Sequence, residues 1–317
     1  MSHSWIHENK KEFVGWINET FAEYKLTDKK NAEAKKMFKF QLFIRDYLKD
    51  ESPFRGLLIY HGLGSGKTCT SIIVAENLKT KRNILVLLPG ALRPNYNQSL
   101  LSGECFTNDY KTMNNVEKKY TILTYNANNT VERLDAIGSL DNFLIIIDET
   151  HNIIKNIVNQ SKIGIAIYKK LRDAKNVKLV FLTGTPIVNK PFEVAIIANM
   201  LKGIMFVPRF IIGRGADLKK LDSFTRYLDE LEYVHYCEAN LKRRYFDIYF
   251  AYPQWSPNFQ KAIDEVINIG SKNYDVEAIY NQKESISYPL FPENEDDFNE
   301  RFVSNLSDDR DRLRRKD

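Results

Sequence analysis

The sequence is sparing with cysteine. Its three residues, Cys69, Cys105 and Cys237, lie far apart and none falls in a CxxC pair. That spacing offers neither a disulfide framework nor a metal site, and it points to a reducing setting. Long apolar runs are missing too: none reaches the roughly 18 residues of a membrane-spanning helix, and the opening MSHSWIHENKKEF lacks the apolar centre of a signal peptide. No membrane partner is expected, and the setting is intracellular or inside a packaged particle. Nor is there a dominant charge. Against 46 Lys and Arg stand 41 Asp and Glu, a net charge of +5, which is compatible with a basic groove for a polyanion but does not single one out. With 43% hydrophobic residues over 317 positions, wholesale disorder is excluded and two domains are affordable.

What is present begins with a helix signal. Phe13, Trp16, Ile17, Phe21 and Tyr24 recur at three- and four-residue steps, the spacing of one apolar helix face expected to pack on the core. The Lys-rich stretch from Lys29 to Lys39 reads as solvated surface, and Phe40 to Leu48 as a second helix. Short apolar runs then alternate with helical patterns: Leu57–Tyr60, Ile84–Leu88, Tyr120–Leu123, Phe143–Ile147 and Val177–Leu182. Runs apolar throughout are strands buried on both faces, and strands separated by helices pair in parallel. The expected architecture is α/β, a three-layer domain with a parallel sheet at residues 51–205. A helical segment precedes it at 1–50, and a mostly helical extension follows at 206–317. In the extension, helices are predicted at Leu218–Leu231 and Phe259–Ile269 and a strand at Tyr245–Tyr249. The tail from Glu293 to Asp317 reads as a charged helix or a disordered end.

Between the first strand and the next helix runs His61-Gly62-Leu63-Gly64-Ser65-Gly66-Lys67-Thr68-Cys69. A triphosphate needs close-approaching amides, a cation, a hydroxyl for magnesium and a helix N-terminus, and this segment supplies all four. Amides of Gly64 and Gly66, the Lys67 ammonium and the Thr68 hydroxyl are the assigned groups. His61 stands where the strict GxxxxGK[ST] pattern has glycine, and it reads either as a packing residue or as a hydrogen-bonding group near the nucleotide. Some eighty residues on, the strand Phe143–Ile147 ends in Asp148-Glu149-Thr150-His151. Asp148 suits a magnesium ion and Glu149 an attacking water. A third strand end, Phe181-Leu182-Thr183-Gly184-Thr185-Pro186, is weaker alone, but its place in the order suggests a link that senses the terminal phosphate.

The succession HGLGSGKT, DETH and LTGTP resembles motifs I, II and III of superfamily 2 helicases and translocases, with DETH as a DExH-type box. Over about residues 38–202 the wording is similar to helicase-like, transcription-associated proteins of large DNA viruses, of mimivirus and poxvirus type. The resemblance implies a RecA-like fold, ATP and Mg2+ as cofactors, DNA or RNA as partner, and viral transcription or genome handling. By the same resemblance Gln41 contacts adenine, and Gly62 through Cys69 with Asp148 hold the nucleotide. Pro89 and Gly90 of LVLLPG, and Tyr125 of LTYN, contact a nucleic acid backbone. His151, Thr183 and Thr185 couple the two ligands, while Lys67 and Glu149 are catalytic. Residues 206–317 lack the QxxGRxxR motif of a second RecA-like lobe, and Gly213-Arg214 reads as a loop arginine. The arginine would then come from a separate lobe, a second copy or a larger assembly with RNA polymerase or virion components. The competing reading is an ATP- or nucleic-acid-binding structural module without motor activity; a P-loop kinase fits less well because Glu149 beside Asp148 suits water. Among the remaining residues, Tyr245, Tyr249, Tyr252 and Trp255 fit a satellite core better than a base-stacking platform. Lys242, Arg243 and Arg244 read as a solvated basic turn.

Overall fold

The computed structural model describes residues 5–6, 10–25, 37–62, 64–106, 110–185, 189–213 and 217–303. The chain divides into two compact units, one formed by residues 23–203 with 289–317 and the other by 1–22 with 204–288. It opens with α1 (Phe13–Thr20) and α2 (Lys39–Tyr47). There follow β1 (Gly56–Tyr60), α3 (Lys67–Leu78), β2 (Asn83–Leu88), α4 (Arg93–Ser102), α5 (Met113–Glu117), β3 (Tyr120–Thr124) and α6 (Thr130–Ile137). The alternation continues through β4 (Phe143–Ile147), α7 (Thr150–Val158), α8 (Lys162–Asp173), β5 (Lys178–Thr183) and α9 (Phe192–Lys202).

The five expected strands all form, within a residue or two of their predicted bounds, as one parallel sheet in the order β1-β5-β4-β2-β3. Continuous apolar sequence is what such a sheet requires, because each strand presents alternate residues to two covered faces. Leu85, Leu87, Ile145, Ile147, Leu179 and Phe181 join a core with Ile153, Ile154, Ile167, Leu171, Ala195, Ile196 and Met200 of α7, α8 and α9. The intervening Ile84, Val86, Leu88, Leu144, Ile146, Val180 and Leu182 are equally buried. Arg55, just ahead of β1, donates to the carbonyls of Leu171 (2.5 Å), Ala174 (2.7 Å) and Met200 (3.3 Å), capping the ends of α8 and α9.

The tail returns to this unit through α12 (Glu295–Phe298) and one π-turn at Asn299–Val303. Buried Asn199 holds it: its amide donates to Phe291 O (3.0 Å) and accepts from Phe291 N–H (2.7 Å). Phe298 enters the core against Phe192, so this part of the charged tail is anchored; residues 304–317 lie outside the described residues.

In the other unit, β6 (Met205–Ile212), α10 (Leu218–Glu230), β7 (Val234–Asn240), β8 (Tyr245–Phe250), α11 (Pro257–Asn273) and β9 (Ala278–Tyr288) form an antiparallel sheet in the order β7-β8-β6-β9. The two predicted helices and β8 are present, but the extension is not mostly helical. Three further strands escape a periodicity reading: β7 and β9 are half-exposed and polar, and register shifts at Val234/Tyr236 and Val207/Arg209 break the two-residue alternation. The βαββαβ order with β6 and β8 central is the split βαβ arrangement of ferredoxin-like domains. No residue of α1 is buried, contrary to the expected core packing; Trp16 instead meets the rings of Trp5, Phe13 and Phe21. Most of the Lys29–Lys39 stretch lies outside the described residues.

Lys178 opens β5 as a buried cation, donating to Ser52 O (2.6 Å) and Phe54 O (2.8 Å). Burial, with nearby Arg82, pushes its pKa from 10.5 down to about 7. Below about pH 7 the folded protein carries the cost of burying the charge. As pH rises from about 7 to 10.5 the folded lysine is neutral while the unfolded one still binds its proton, so stability rises. Denaturant unfolding of Lys178→Met should lack this term, with the wild type gaining up to roughly 5 kcal/mol on the variant across that window. Parallel pH profiles for the two proteins would refute the assignment.

Candidate functional site

The glycine-rich loop lies between the end of β1 and the start of α3. Gly64 (φ +74°) and Gly66 (φ +81°) adopt left-handed backbone that side chains resist, and Gly66 caps α3 in that conformation. A Cβ on Gly66 would also stand 3.1 Å from Gln41 Nε2. The Lys67 ammonium bridges two carbonyls of its own loop, His61 O and Gly62 O, each at 3.0 Å, and Ser65 Oγ donates to Gly62 O at 2.8 Å. Thr68 follows, half-buried in the first turn of α3. His61 packs edge-on against Phe40 with centroids 4.9 Å apart, and burial and Lys67 both lower its pKa. Leu63 lies outside the described residues.

Parallel register carries the other groups to the same edge. Tyr60 pairs with Thr183, Ile147 with Phe181, and Leu87 with Ile147. Beyond the strands the ladder continues, with His61 N–H on Thr183 O (3.2 Å) and Asp148 N–H on Leu87 O (2.9 Å). Because β5 lies between β1 and β4, Thr183 sits between the loop and the carboxylates. Asp148 is 5% exposed; burial raises its pKa to about 6, Glu149 reinforces the rise, and the Glu149 N–H (3.0 Å from Oδ1) and Lys67 oppose it. Glu149 has left-handed backbone (φ 49°, ψ 52°), rare for a residue with a side chain and frequent where a site is held under strain.

His151 joins the two motifs. Its Nδ1 is 3.0 Å from Thr183 Oγ1 and 3.3 Å from Glu149 Oε2. Thr183 Oγ1 accepts the Thr185 N–H and donates its one proton to Thr185 O, both at 3.1 Å. The hydrogen-bond network therefore assigns a hydrogen to His151 Nδ1, shared by the threonine oxygen and the glutamate. Glu149, His151, Thr183 and exposed Thr185 form one connected line; Pro186 lies outside the described residues.

Three expected roles are not what the side chains do. Tyr125, expected on a nucleic acid surface, is 1% exposed, and its hydroxyl meets the carbonyls of Asp148 and Glu149, each at 3.2 Å. It braces the carboxylate turn, and only the neighbouring Asn126 is exposed. Gln41, expected on adenine, is buried, with its oxygen accepting from Phe38 N–H (2.9 Å) and its amide donating to Gly66 O (3.4 Å). It caps α2 and supports the loop. Cys69, expected to be unpaired, is bonded to Cys105, which removes the cysteine-based ground for a reducing setting. Pro89 and exposed Gly90 lie at the end of β2, on the same sheet edge. Sequence reading missed Tyr96, whose hydroxyl meets Ser71 Oγ (3.1 Å) on α3; its lone position in a helix carried no signal.

With this geometry in place, comparison with known proteins is direct. Residues 20–188, more than half the chain, match the family described as type III restriction enzyme, res subunit. The chain belongs to that family and is one of the superfamily 2 helicase-like proteins of large DNA viruses. It is 28% identical over 311 residues to an Acanthamoeba polyphaga mimivirus protein described as an ATP-dependent RNA helicase, a match covering 88% of this chain and 53% of that protein. It is 30% identical over 230 residues to a termination factor NPH-I homolog of African swine fever virus, covering 65% of this chain and 33% of the other. The chain thus spans about half the length of the first relative and a third of the second. Among solved structures, a Sulfolobus solfataricus SWI2/SNF2 ATPase core in complex with dsDNA is similar at 24% identity, with a TM-score of 0.39 over 51% of this chain and 34% of that one.

The Cys69–Cys105 bond closes a loop of 36 residues at the first turn of α3, and Cys237 is the free cysteine. Thiol titration of denatured, unreduced protein should find one thiol per chain, rising to three after reduction. Reduction should destabilise the fold by roughly 2–4 kcal/mol, and Cys105→Ser should show no such sensitivity. Three thiols before reduction would refute the pairing.

Proposed function

We propose that this chain binds ATP with magnesium and hydrolyses it in concert with nucleic acid, serving as the first lobe of a two-lobe motor. The observation that carries the reading is the convergence of Lys67, Asp148, Glu149 and Thr183 on one sheet edge in three adjacent strands. Lys67 would exchange its two loop carbonyls for the terminal phosphate oxygens, a replacement of neutral acceptors by charged ones. A buried carboxylate whose pKa is already raised to about 6 suits a cation, so Asp148 and the Thr68 hydroxyl would hold magnesium between them and the phosphates. When bound, the metal offsets charge building on the phosphate oxygens. Glu149 would orient and deprotonate the attacking water, with His151 fixing Oε2 and passing the state of the site to Thr183 and Thr185.

The name of the mimivirus relative makes RNA the first ligand to try, and Asn126, Pro89 and Gly90 belong to the exposed edge where a strand would pass. An arginine from a second lobe is worth about a thousandfold or more in related chemistry, so turnover by this chain alone should be slow. The second reading is a binding module without motor activity, in which Lys67 holds the nucleotide and no turnover follows.

Steady-state ATP hydrolysis with and without single- and double-stranded RNA and DNA tests both. Slow turnover stimulated by one of these ligands is expected. Lys67→Ala should lose ATP binding, and Glu149→Gln should keep it while losing roughly 100-fold or more in rate. Turnover indifferent to both substitutions would sink the proposal, and Lys67-dependent binding without turnover would select the module.

A further inference from the structure

Among the described residues of the smaller unit, α10 and α11 both pack on one face of the antiparallel sheet. Phe210, Ile212, Phe246, Ile248 and Phe250 point to the core with Leu221, Phe224 and Leu228 of α10 and Phe259, Ile263 and Val266 of α11. The alternate residues must therefore point the other way. Register defines that face row by row: Tyr236 opposite Tyr249, then Glu238 opposite Asp247, Arg209 and Asn281, then Asn240 opposite Tyr245, Ile211 and Ile279.

Two features of this face are chemically specific. Tyr236 and Tyr249 stack at 3.8 Å with planes 17° apart, and Tyr288 meets Tyr249 edge-on at 6.4 Å. The stack is open at its outer end, where Tyr236 on edge strand β7 is 47% exposed. In the next rows Arg209 makes paired 2.7 Å hydrogen bonds to Asp247 and lies 3.8 Å over the Tyr245 ring, so its guanidinium is held by two contacts. Exposed Lys242 and Arg243 occupy the β7–β8 turn, and exposed Lys283 the kink of β9.

We propose that this face binds single-stranded nucleic acid by stacking bases on the Tyr236–Tyr249 ladder and on the Arg209–Tyr245 pair, a second site apart from the nucleotide loop. Stacked rings and a held guanidinium are the surfaces on which unpaired bases sit in sheet-based readers of single strands. A protein partner suits the face less: the row of Glu238, Asp247 and Asn281 divides the aromatics, whereas bases need only separate ring faces. Glu238 repels phosphate from the centre of the face, and the strand's phosphates fall to Lys242 and Arg243. The sequence had grouped Tyr245 and Tyr249 with Tyr252 and Trp255 as a satellite core. The fold separates them, sending Tyr252 to the helix side against Tyr233 while Trp255 stays exposed.

The inference takes its choice of ligand from the proposed function and is otherwise independent of ATP. It is tested by fluorescence anisotropy of labelled oligouridylate and oligothymidylate on the full chain, without nucleotide or magnesium. Tyr236→Ala and Tyr249→Ala should each weaken binding about fivefold or more. Tyr236→Phe should bind within about twofold of wild type because the ring remains. Few phosphate contacts imply a shallow salt dependence. Tyr236 is an exposed edge residue, so its variant should keep the wild-type melting curve and Lys67-dependent ATP binding. Wild-type affinity in both alanine variants, or no oligonucleotide binding by the wild type while ATP still binds, would overturn the site and leave the ATPase reading standing. Tyrosine-dependent binding by a chain that binds no ATP would do the reverse.

Discussion

Parallel pairing of β5 with β1 on one side and β4 on the other is the constraint on which the candidate site depends. Side-chain position in a strand is fixed by register, and a slip of one residue would turn every side chain to the opposite face. With Tyr60 level with Thr183 and Ile147 level with Phe181, the three strands leave the sheet within two residues of one another. The loop, the threonine link and the carboxylates then need no long connections to meet. The strands are apolar throughout because the sheet is buried on both faces, so register rests on side-chain packing and the connecting segments instead of on alternation.

The loops that leave this edge are held by polar groups that look like ligand contacts in the sequence. Tyr125 supports the backbone of Asp148 and Glu149 from beneath, and Gln41 supports Gly66. A buried hydroxyl or amide must be satisfied, and each is satisfied by a backbone carbonyl of the motif beside it. Such braces hold irregular backbone in place before a ligand arrives, which lowers the entropy lost on binding.

The parallel sheet was legible because its strands carry a local signal, a continuous apolar run between helical patterns. The glycine loop and the DETH turn were legible because phosphate chemistry fixes residue types at short spacing. What was illegible is set by tertiary contact. Cys69 and Cys105 meet because the chain after α4 returns to the first turn of α3, and no local pattern encodes that. Strands β6, β7 and β9 were hidden because one face of their sheet is solvated and register shifts interrupt the period. Tyr245 and Tyr249 separate from Tyr252 only once β8 is known to end at Phe250.

Adjacent acids in one turn raise the question of how two like groups come to sit in different surroundings. Successive residues in extended backbone point to opposite sides. The left-handed conformation of Glu149 breaks that alternation, tucks its N–H onto Asp148 Oδ1 and turns its side chain toward His151. Asp148 remains under cover at 5% exposure, where a charge needs a counter-ion, while the Glu149 side chain keeps 24% of its surface in solvent. The buried acid is thereby suited to a fixed cation and the exposed one to exchanging a proton with water. Backbone strain at a single residue is thus enough to separate the two environments.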